Sequence, residues 1–331
     1  MRRSKILSTG RCLPERVITN NDLAKVMKTN DKWIQERTGI VERRYVEDDT
    51  GASDLGYEAS LVAIERAGIK PEDIDMIIFG TLSYDHTFPG SGCLLQEKLG
   101  IPGVATLDVR NQCTGFMYGM AVADQFVKTG MYDHVLVVGA EVHSTGLQFS
   151  DEGRDVTVIF GDGGGAAVIG VSDDDNKGIL SSHLHADGNG FRELWIEATS
   201  CRTFPRITHQ MLDGGKVWPK MNGKNVFKHA VKRLPEVIHE ALEANGLTVD
   251  DIDHLVPHQA NMRINQFVAH KIGIPEEKVW HNIQRYGNTT AATIPICLDE
   301  MLEQGVIHDG DILMIAAFGA GFTWASSLVR W

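Results

Sequence analysis

The sequence predicts an α/β protein built from two copies of one unit, packed as a pseudo-twofold pair. Three observations predict it. First, the chain repeats itself. A shift of 178 residues lays Ala67–Asp75 on Asn245–Asp253, where Gly, Asp, Ile and Asp recur in place. The same shift carries Asp133 onto Asp311 and the apolar run Val135–Val138 onto Leu313–Ala316. One gap-free offset holding at two separated places marks an internal repeat. Second, short unbroken apolar runs such as Val135–Gly139 alternate with segments of helical spacing, the pattern of strands buried on both faces. Third, the most polar connector, 172–177 (Ser-Asp-Asp-Asp-Asn-Lys), lies near the midpoint and divides the chain into halves 1–175 and 176–331.

Composition agrees. The 331 residues are 43% hydrophobic and 23% charged, values of a globular protein too long for one simple core. A net charge of −12 disfavours nonspecific nucleic-acid binding, and an acidic protein partner would need a local basic patch. The opening Met-Arg-Arg-Ser-Lys is not followed by the apolar core of a signal peptide. No apolar run approaches the roughly 18 residues of a membrane span. The five cysteines are scattered, with no CxxC pair, so neither a zinc site nor a disulfide framework is expected. These features predict a cytoplasmic protein without membrane insertion.

Along the first half, a strand opens the chain, and Asn20-Asn21-Asp22-Leu23 caps a helix running through Lys28. Asn30-Asp31 caps another, ended by Thr38-Gly39-Ile40, on which Trp33 and Arg37 share a face. That pair reads either as an ordinary packed surface or as an aromatic-plus-cation grip on a nucleotide. Ser53–Ala67 is a helix closed by Gly68, Met76–Gly80 a strand, Cys93–Leu99 a helix and Ala105–Val109 a strand. A helix over Thr114–Val127 follows Cys113. Asp155–Ile159 alternates imperfectly. The glycines 161–165 precede the strand Ala166–Val171; they lack the GxxxxGK[ST] pattern and are expected to form a tight bend or a close backbone approach between two strands.

In the second half, Gly178–Ala186 is strand-like and 193–221 is a long irregular excursion of the kind that is often functional. Val226–Ala244 is a strong helix that Pro235 should kink or break. Asp251-Ile252-Asp253 leads into a strand ending at His258.

The candidate site centres on Cys113. At a helix start, the dipole and unpaired N–H groups favour the thiolate, which is the nucleophile; the alternative is a buried structural thiol. The 178-residue shift places Cys113 opposite Ala291, three residues past Asn288, and His258 opposite Gly80. Strand ends of open α/β sheets are where sites gather, so Cys113, His258 and Asn288 are expected on one rim. Histidine Nε2 and an asparagine N–H can donate together to a developing oxyanion, while a thiolate can hold an acyl group. Two-step acyl transfer with an enolate partner is one reading; a Cys–His hydrolase is the other.

Here the chain resembles the β-ketoacyl-[acyl carrier protein] synthase III family of the thiolase superfamily. The resemblance rests on Glu36–Ile40, the Cys113 segment, Ile159–Gly163, Val256–Arg263, Tyr286–Ala292 and Ala317–Trp324. It implies a thiolase-like fold in α-β-α-β-α layers, each half holding a mixed sheet. It implies that Cys113 attacks an acyl-CoA, with its own N–H and that of Ala320 as the oxyanion hole. His258 and Asn288 would promote decarboxylation of malonyl-carrier protein, giving a β-ketoacyl product with no cofactor. Trp33 and Arg154 match the pair that sandwiches the CoA adenine, and Arg37 matches a phosphate contact. Thr29, Gly223, Phe227, Asn261 and Phe318 match other CoA or substrate neighbours. Phe88 matches a residue that limits the acyl pocket from the partner of a homodimer. Arg263 and Lys228 match basic positions that dock the acyl carrier protein.

Four departures stand out, one of them Lys224 in place of a frequent polar neighbour in the pantetheine tunnel. Ala320 replaces a usual glycine; if positive φ is needed there, Ala costs about 1 kcal/mol. Gln112 and Thr114 flank the cysteine where small residues are common, and the 193–221 excursion is long. They leave room for a same-fold acyltransferase or a condensing enzyme of secondary metabolism with another acyl donor or acceptor.

Overall fold

A computed structural model describes residues 2–331. Nine strands form two main sheets. In chain order they are β1 (Ser4–Cys12), β2 (Met76–Gly80), β3 (Ala105–Val109), β4 (His134–Glu141), β5 (Gly163–Val171), β6 (Gly178–Ala186), β7 (His254–Pro257), β8 (Ile312–Gly319) and β9 (Thr323–Arg330). The first sheet has the order β1-β5-β4-β2-β3, and the second β7-β8-β9-β6. Both are mixed: β2 runs parallel to β3 and β4, and β7 parallel to β8, with the remaining pairs antiparallel.

The repeat read from the sequence is a repeat of register. Met76 pairs with Val135 in the first sheet, and His254 with Leu313 in the second. Both members of the second pair lie 178 residues after those of the first. The counterpart of β3 is reduced to one parallel bridge, Leu255 to Val279.

Six helices cover the sheets, α2 (Ala52–Arg66), α3 (Ser91–Leu99), α4 (Gly115–Lys128), α5 (Gly223–Ala244), α6 (Met262–Ile272) and α7 (Thr293–Glu303), and α1 (Asp31–Thr38) packs beside them in a separate cluster through Ile34. Leu55, Ala59 and Ala63 of α2 and Leu95 of α3 pack on the outer face of the first sheet, against Ile77, Phe79 and Val138. Phe116, Met117 and Met120 of α4 and Ile294 and Leu298 of α7 lie between the sheets, against Ile78, Val137, Ile315 and Ala317. Leu234 and Ile238 of α5 and Val268 and Ile272 of α6 cover the far face of the second sheet. The five layers expected from the resemblance are present. Each apolar side chain buried this way contributes about 1.5–3 kcal/mol.

Four local expectations differ. The helix from Asn20 stops at Leu23, and the Lys28 N–H is taken by Asp151 at 2.7 Å. Instead of a strand, 155–159 contributes to a helical turn, Arg154–Thr157; only Phe160 bridges to Asn288. The glycines 163–165 lie inside β5 rather than before it. A Cβ on Gly164 would fall 2.5 Å from the Leu55 carbonyl oxygen, so close approach of α2, not bending, requires glycine there. Finally, α5 runs unbroken through Pro235. The ring leaves the Val231 carbonyl without its helical donor, and Lys271 Nζ of α6 donates to it at 3.3 Å.

The long excursion folds as a two-stranded ribbon, Leu194–Trp195 against Lys220–Met221, with one helical turn, His209–Asp213, between. No helix among the described residues is long and apolar enough to cross a membrane.

Candidate active site

Two equivalent turns carry the site. Gln112–Thr114 precedes α4, and Thr290–Ala292 precedes α7. Each begins with a non-glycine residue in the left-handed region, Gln112 at φ 47° and Thr290 at φ 50°, a conformation that side chains with Cβ seldom adopt. They stand 178 residues apart. The first turn presents Cys113 against the end of β8, where a Cβ on Gly319 would lie 2.8 Å from the Cys113 Cβ.

Cys113 is buried. Burial, and after it the Glu141 carboxylate, push its thiol up to about 12; the backbone N–H groups of Ala320 and of Cys113 itself pull the other way. The expectation that the helix start favours thiolate is therefore corrected, because desolvation outweighs the local dipoles. The two N–H groups act on the sulfur as oxyanion donors would. Ala320 is free of the suspected strain: positive φ falls on Gly321, at 76°, and Phe322, at 46°, and not on Ala320.

His258 follows β7, with its backbone N–H on the Ala316 carbonyl at 2.8 Å. The ring is buried, and that desolvation lowers its pKa to about 3, so it is neutral. Its Nδ1 lies 2.6 Å from Thr293 Oγ1, and Thr293 Oγ1 lies 3.1 Å from the Thr290 carbonyl. Nε2 is buried without a partner among the described residues. Asn288 is buried too. Its Oδ1 accepts the Thr290 N–H at 2.8 Å, which fixes the amide and leaves Nδ2 as a donor. Thr290 thus orients Asn288 with its N–H and Thr293 with its carbonyl. Neither threonine stood out in the sequence. The only signal was that Thr290 is two residues past Asn288, the offset of an Asx turn.

Three cavities meet the site. A narrow one of about 110 Å³ is lined by Cys113, Phe227, Asn261, Asn288, Phe318 and Ala320. It shares Gly223, Phe227 and Asn261 with an outer groove of about 500 Å³ that also touches Trp33, Arg37, Lys224 and Arg263. On its other side Cys113 borders a chamber of about 600 Å³, with Gln112, His143, Phe160 and Trp195 in its walls. A continuous path therefore runs from the surface past Cys113 into the chamber.

Trp33 and Arg37 reach the groove from α1, whose cap is Asn30 Oδ1 accepting from the Trp33 N–H at 2.9 Å and whose end is Gly39 at φ 80°. The guanidinium carbons of Arg37 and Arg154 lie 4.4 and 4.5 Å from the Trp33 ring centre. Arg154 thus rests on Trp33 itself, the place a flat ligand ring would take. Thr29 lines none of these three cavities, and its Oγ1 is buried without a partner. Lys228 and Arg263 are exposed on α5 and α6. Phe88 is 81% exposed, outside this chain's own chamber.

The comparisons agree with this geometry. Residues 107–188 match the family profile described as 3-oxoacyl-[acyl-carrier-protein (ACP)] synthase III, and residues 242–331 match its C-terminal counterpart. A protein of Caldanaerobacter subterraneus subsp. tengcongensis named β-ketoacyl-[acyl-carrier-protein] synthase III is 46% identical over 98% of this chain and 97% of its own. The crystal structure of 3-oxoacyl-[acyl-carrier-protein] synthase III from Aquifex aeolicus VF5 superposes with a TM-score of 0.91 at 39% identity, covering 99% of this chain and 100% of that one. A priming β-ketosynthase from the R1128 polyketide biosynthetic pathway superposes with a TM-score of 0.91 at 32% identity, covering 99% and 96%. A duplicated five-layer fold, a cysteine on a path between groove and chamber, and likeness over nearly the whole length lead to one conclusion: the chain belongs to the β-ketoacyl-[acyl-carrier-protein] synthase III family of condensing enzymes.

Proposed function

We propose that the chain condenses an acyl-CoA primer with malonyl-[acyl carrier protein], with loss of carbon dioxide, as the initiating step of fatty acid synthesis. The observation that carries the proposal is the position of Cys113, shared by the narrow channel and the inner chamber. An acyl-CoA laid along the groove brings its thioester to the sulfur, and the acyl chain continues into the chamber.

In the first step Sγ attacks the thioester carbonyl. The N–H groups of Cys113 and Ala320 stabilise the oxyanion. The bond to the CoA sulfur breaks, and the thiol proton leaves with that sulfur. In the second step a malonyl thioester occupies the emptied channel. His258 Nε2–H and Asn288 Nδ2 donate to its carbonyl oxygen as carbon dioxide departs and an enolate forms. Thr293 serves this step when its hydroxyl proton turns from the Thr290 carbonyl to His258 Nδ1, which puts the ring proton on Nε2. The enolate carbon attacks the acyl carbonyl, and Cys113 leaves as thiolate. This chemistry needs no cofactor.

Trp33 and Arg37 are read as the CoA end of the groove, with Arg154 stacked on Trp33 and Thr29 outside the cavity lining, and Gly223, Phe227, Asn261 and Phe318 along the pantetheine. Lys228 and Arg263, together with Lys224, form the basic patch for an acidic carrier protein. We read 1–175 and 176–331 as the two halves, and the cytoplasm as the compartment. Homodimerisation is supported by β3, an edge strand whose Leu107 is 37% exposed and whose unpaired backbone invites a second copy. That arrangement would send Phe88 toward the partner's chamber.

A second reading, priming of a secondary-metabolite pathway, is favoured by the size of the chamber and by the polyketide ketosynthase among the structural neighbours. Intact mass after incubation with mixed acyl-CoAs, followed by addition of malonyl donors, tests both. Cys113→Ser is expected to abolish the adduct. His258→Ala and Asn288→Ala are expected to keep the adduct and lower condensation by about 10²-fold or more, the scale of losing one oxyanion donor. Loss of the adduct in His258→Ala would favour a Cys–His hydrolase instead.

A further inference from the structure

The chamber beyond Cys113 is large. At about 600 Å³ it holds far more than a two-carbon acyl group, since a water molecule claims about 30 Å³ in the liquid. Its apolar wall includes Leu82, Val142, Leu147 and Phe160. Some of its polar wall groups are held by the protein. Ser83 Oγ donates to Glu141 at 2.6 Å. The Asp85 carboxylate accepts from Ser53 Oγ at 2.8 Å and Ser91 Oγ at 2.7 Å. The Arg110 guanidinium lies 4.7 Å from the Tyr84 ring centre.

His143 differs from the other polar wall groups left over, Thr50, Tyr84, Arg110, Gln112 and Thr145, in being buried where they are partly or fully exposed. Its side chain is more than nine-tenths buried and packs on Phe160 with ring centres 4.6 Å apart. Nε2 is bonded to Thr290 Oγ1 at 2.7 Å. Nδ1 meets no hydrogen-bond partner among the described residues, and the ring lines the chamber. Burial lowers its pKa to about 3, so the imidazole is neutral. One nitrogen is therefore held while the other is left as a single polar point beside an apolar wall. Its role follows the Thr290 hydroxyl: when that hydroxyl donates to Nε2, Nδ1 carries the proton, and when it accepts, Nδ1 is the acceptor. A hydroxyl on the ligand can pair with either form. A plain alkyl chain would bury Nδ1 unpaired, and a buried polar group left unpaired is what makes a site reject the apolar analogue.

We infer that this chamber selects a primer whose acyl chain carries a hydroxyl group, and that His143 Nδ1 reads that oxygen. The inference rests on the acyl-cysteine reading above. The hydroxyl takes no part in the chemistry: the thioester bond to CoA breaks, the bond to Cys113 Sγ forms, and the thiol proton leaves on the CoA sulfur.

The test is competition at limiting enzyme between hexanoyl-CoA and either 3-hydroxyhexanoyl-CoA or 6-hydroxyhexanoyl-CoA. The Cys113 adducts differ by one oxygen and are resolved by intact mass. At least one hydroxylated donor is expected to win by about tenfold, the factor one net hydrogen bond supplies. His143→Leu is expected to reverse that ratio. His143→Gln, which keeps a hydrogen-bonding tip, is expected to retain the preference in reduced form and covers the case in which His143→Leu does not fold. Equal or better use of hexanoyl-CoA by the natural protein, or a ratio that both variants leave intact, overturns the selection by His143 while leaving the acyl-cysteine reading standing. No adduct from any donor overturns both.

Discussion

Cys113 shows how burial and dipoles compete at one atom. Helix starts favour thiolates, yet this sulfur is buried and near Glu141, and the thiol is pushed up to about 12. The sign of the consequence is definite. A thiol below its pKa gains about tenfold in thiolate for each pH unit. Alkylation of Cys113 by iodoacetamide in the free protein should therefore climb steadily from pH 7 to pH 10. A plateau near pH 8.5 would contradict the buried-thiol picture. Activation then belongs to the substrate complex, in which the attack and the two N–H donors act together. Cys113, His258 and Asn288 were picked out from strand ends, the repeat and the family resemblance. The state of the thiol was not, because its burial is made by the surrounding fold, including the end of β8 at Gly319, more than two hundred residues away in sequence. His143 was missed for a related reason: a histidine just past a strand carries no signal until the wall around it is known.

Elements buried on both faces were the most legible. Met76–Gly80 was read to the residue, because an apolar run bounded by polar turns leaves little choice; the half-exposed edge strand Ala105–Val109 was read to the residue as well. Short pieces such as Arg154–Thr157 were not, since four residues carry no period. Pro235 was read correctly as a defect and wrongly as a break: the satisfying donor, Lys271, sits on another helix. The glycines of β5 carry a prediction at this scale. Gly164→Ala would drive a Cβ into the Leu55 carbonyl of α2, and overpacking of this kind costs about 1–3 kcal/mol. Urea unfolding should show the midpoint fall with an unchanged slope. An unaltered midpoint would mean that α2 yields without cost.

At the scale of the molecule, the repeat governs what the sequence could and could not disclose. It set the register of both sheets, because β2 with β4 and β7 with β8 repeat the same pairing. It could not disclose assembly, which depends on an edge that no intrachain partner covers. Leu107→Lys places a charge on the open edge of β3, the device natural sheets use against self-pairing. Light scattering should then report a shift from dimer toward monomer for this variant. A natural protein already monomeric at micromolar concentration would remove the dimer reading.

The paired turns at Gln112 and Thr290 have one more consequence. A duplicated gene inherits two identical seats, and here one seat holds Cys113 and the other Ala291. The vacant seat did not decay: Thr290 keeps the same unfavourable backbone as Gln112, and its spare polar groups now steer Asn288 and Thr293. The turn that matches the Cys113 turn holds no nucleophile and instead brackets Asn288 and Thr293. One local geometry is thus used twice, once to seat a sulfur and once to hold an amide and a hydroxyl in place.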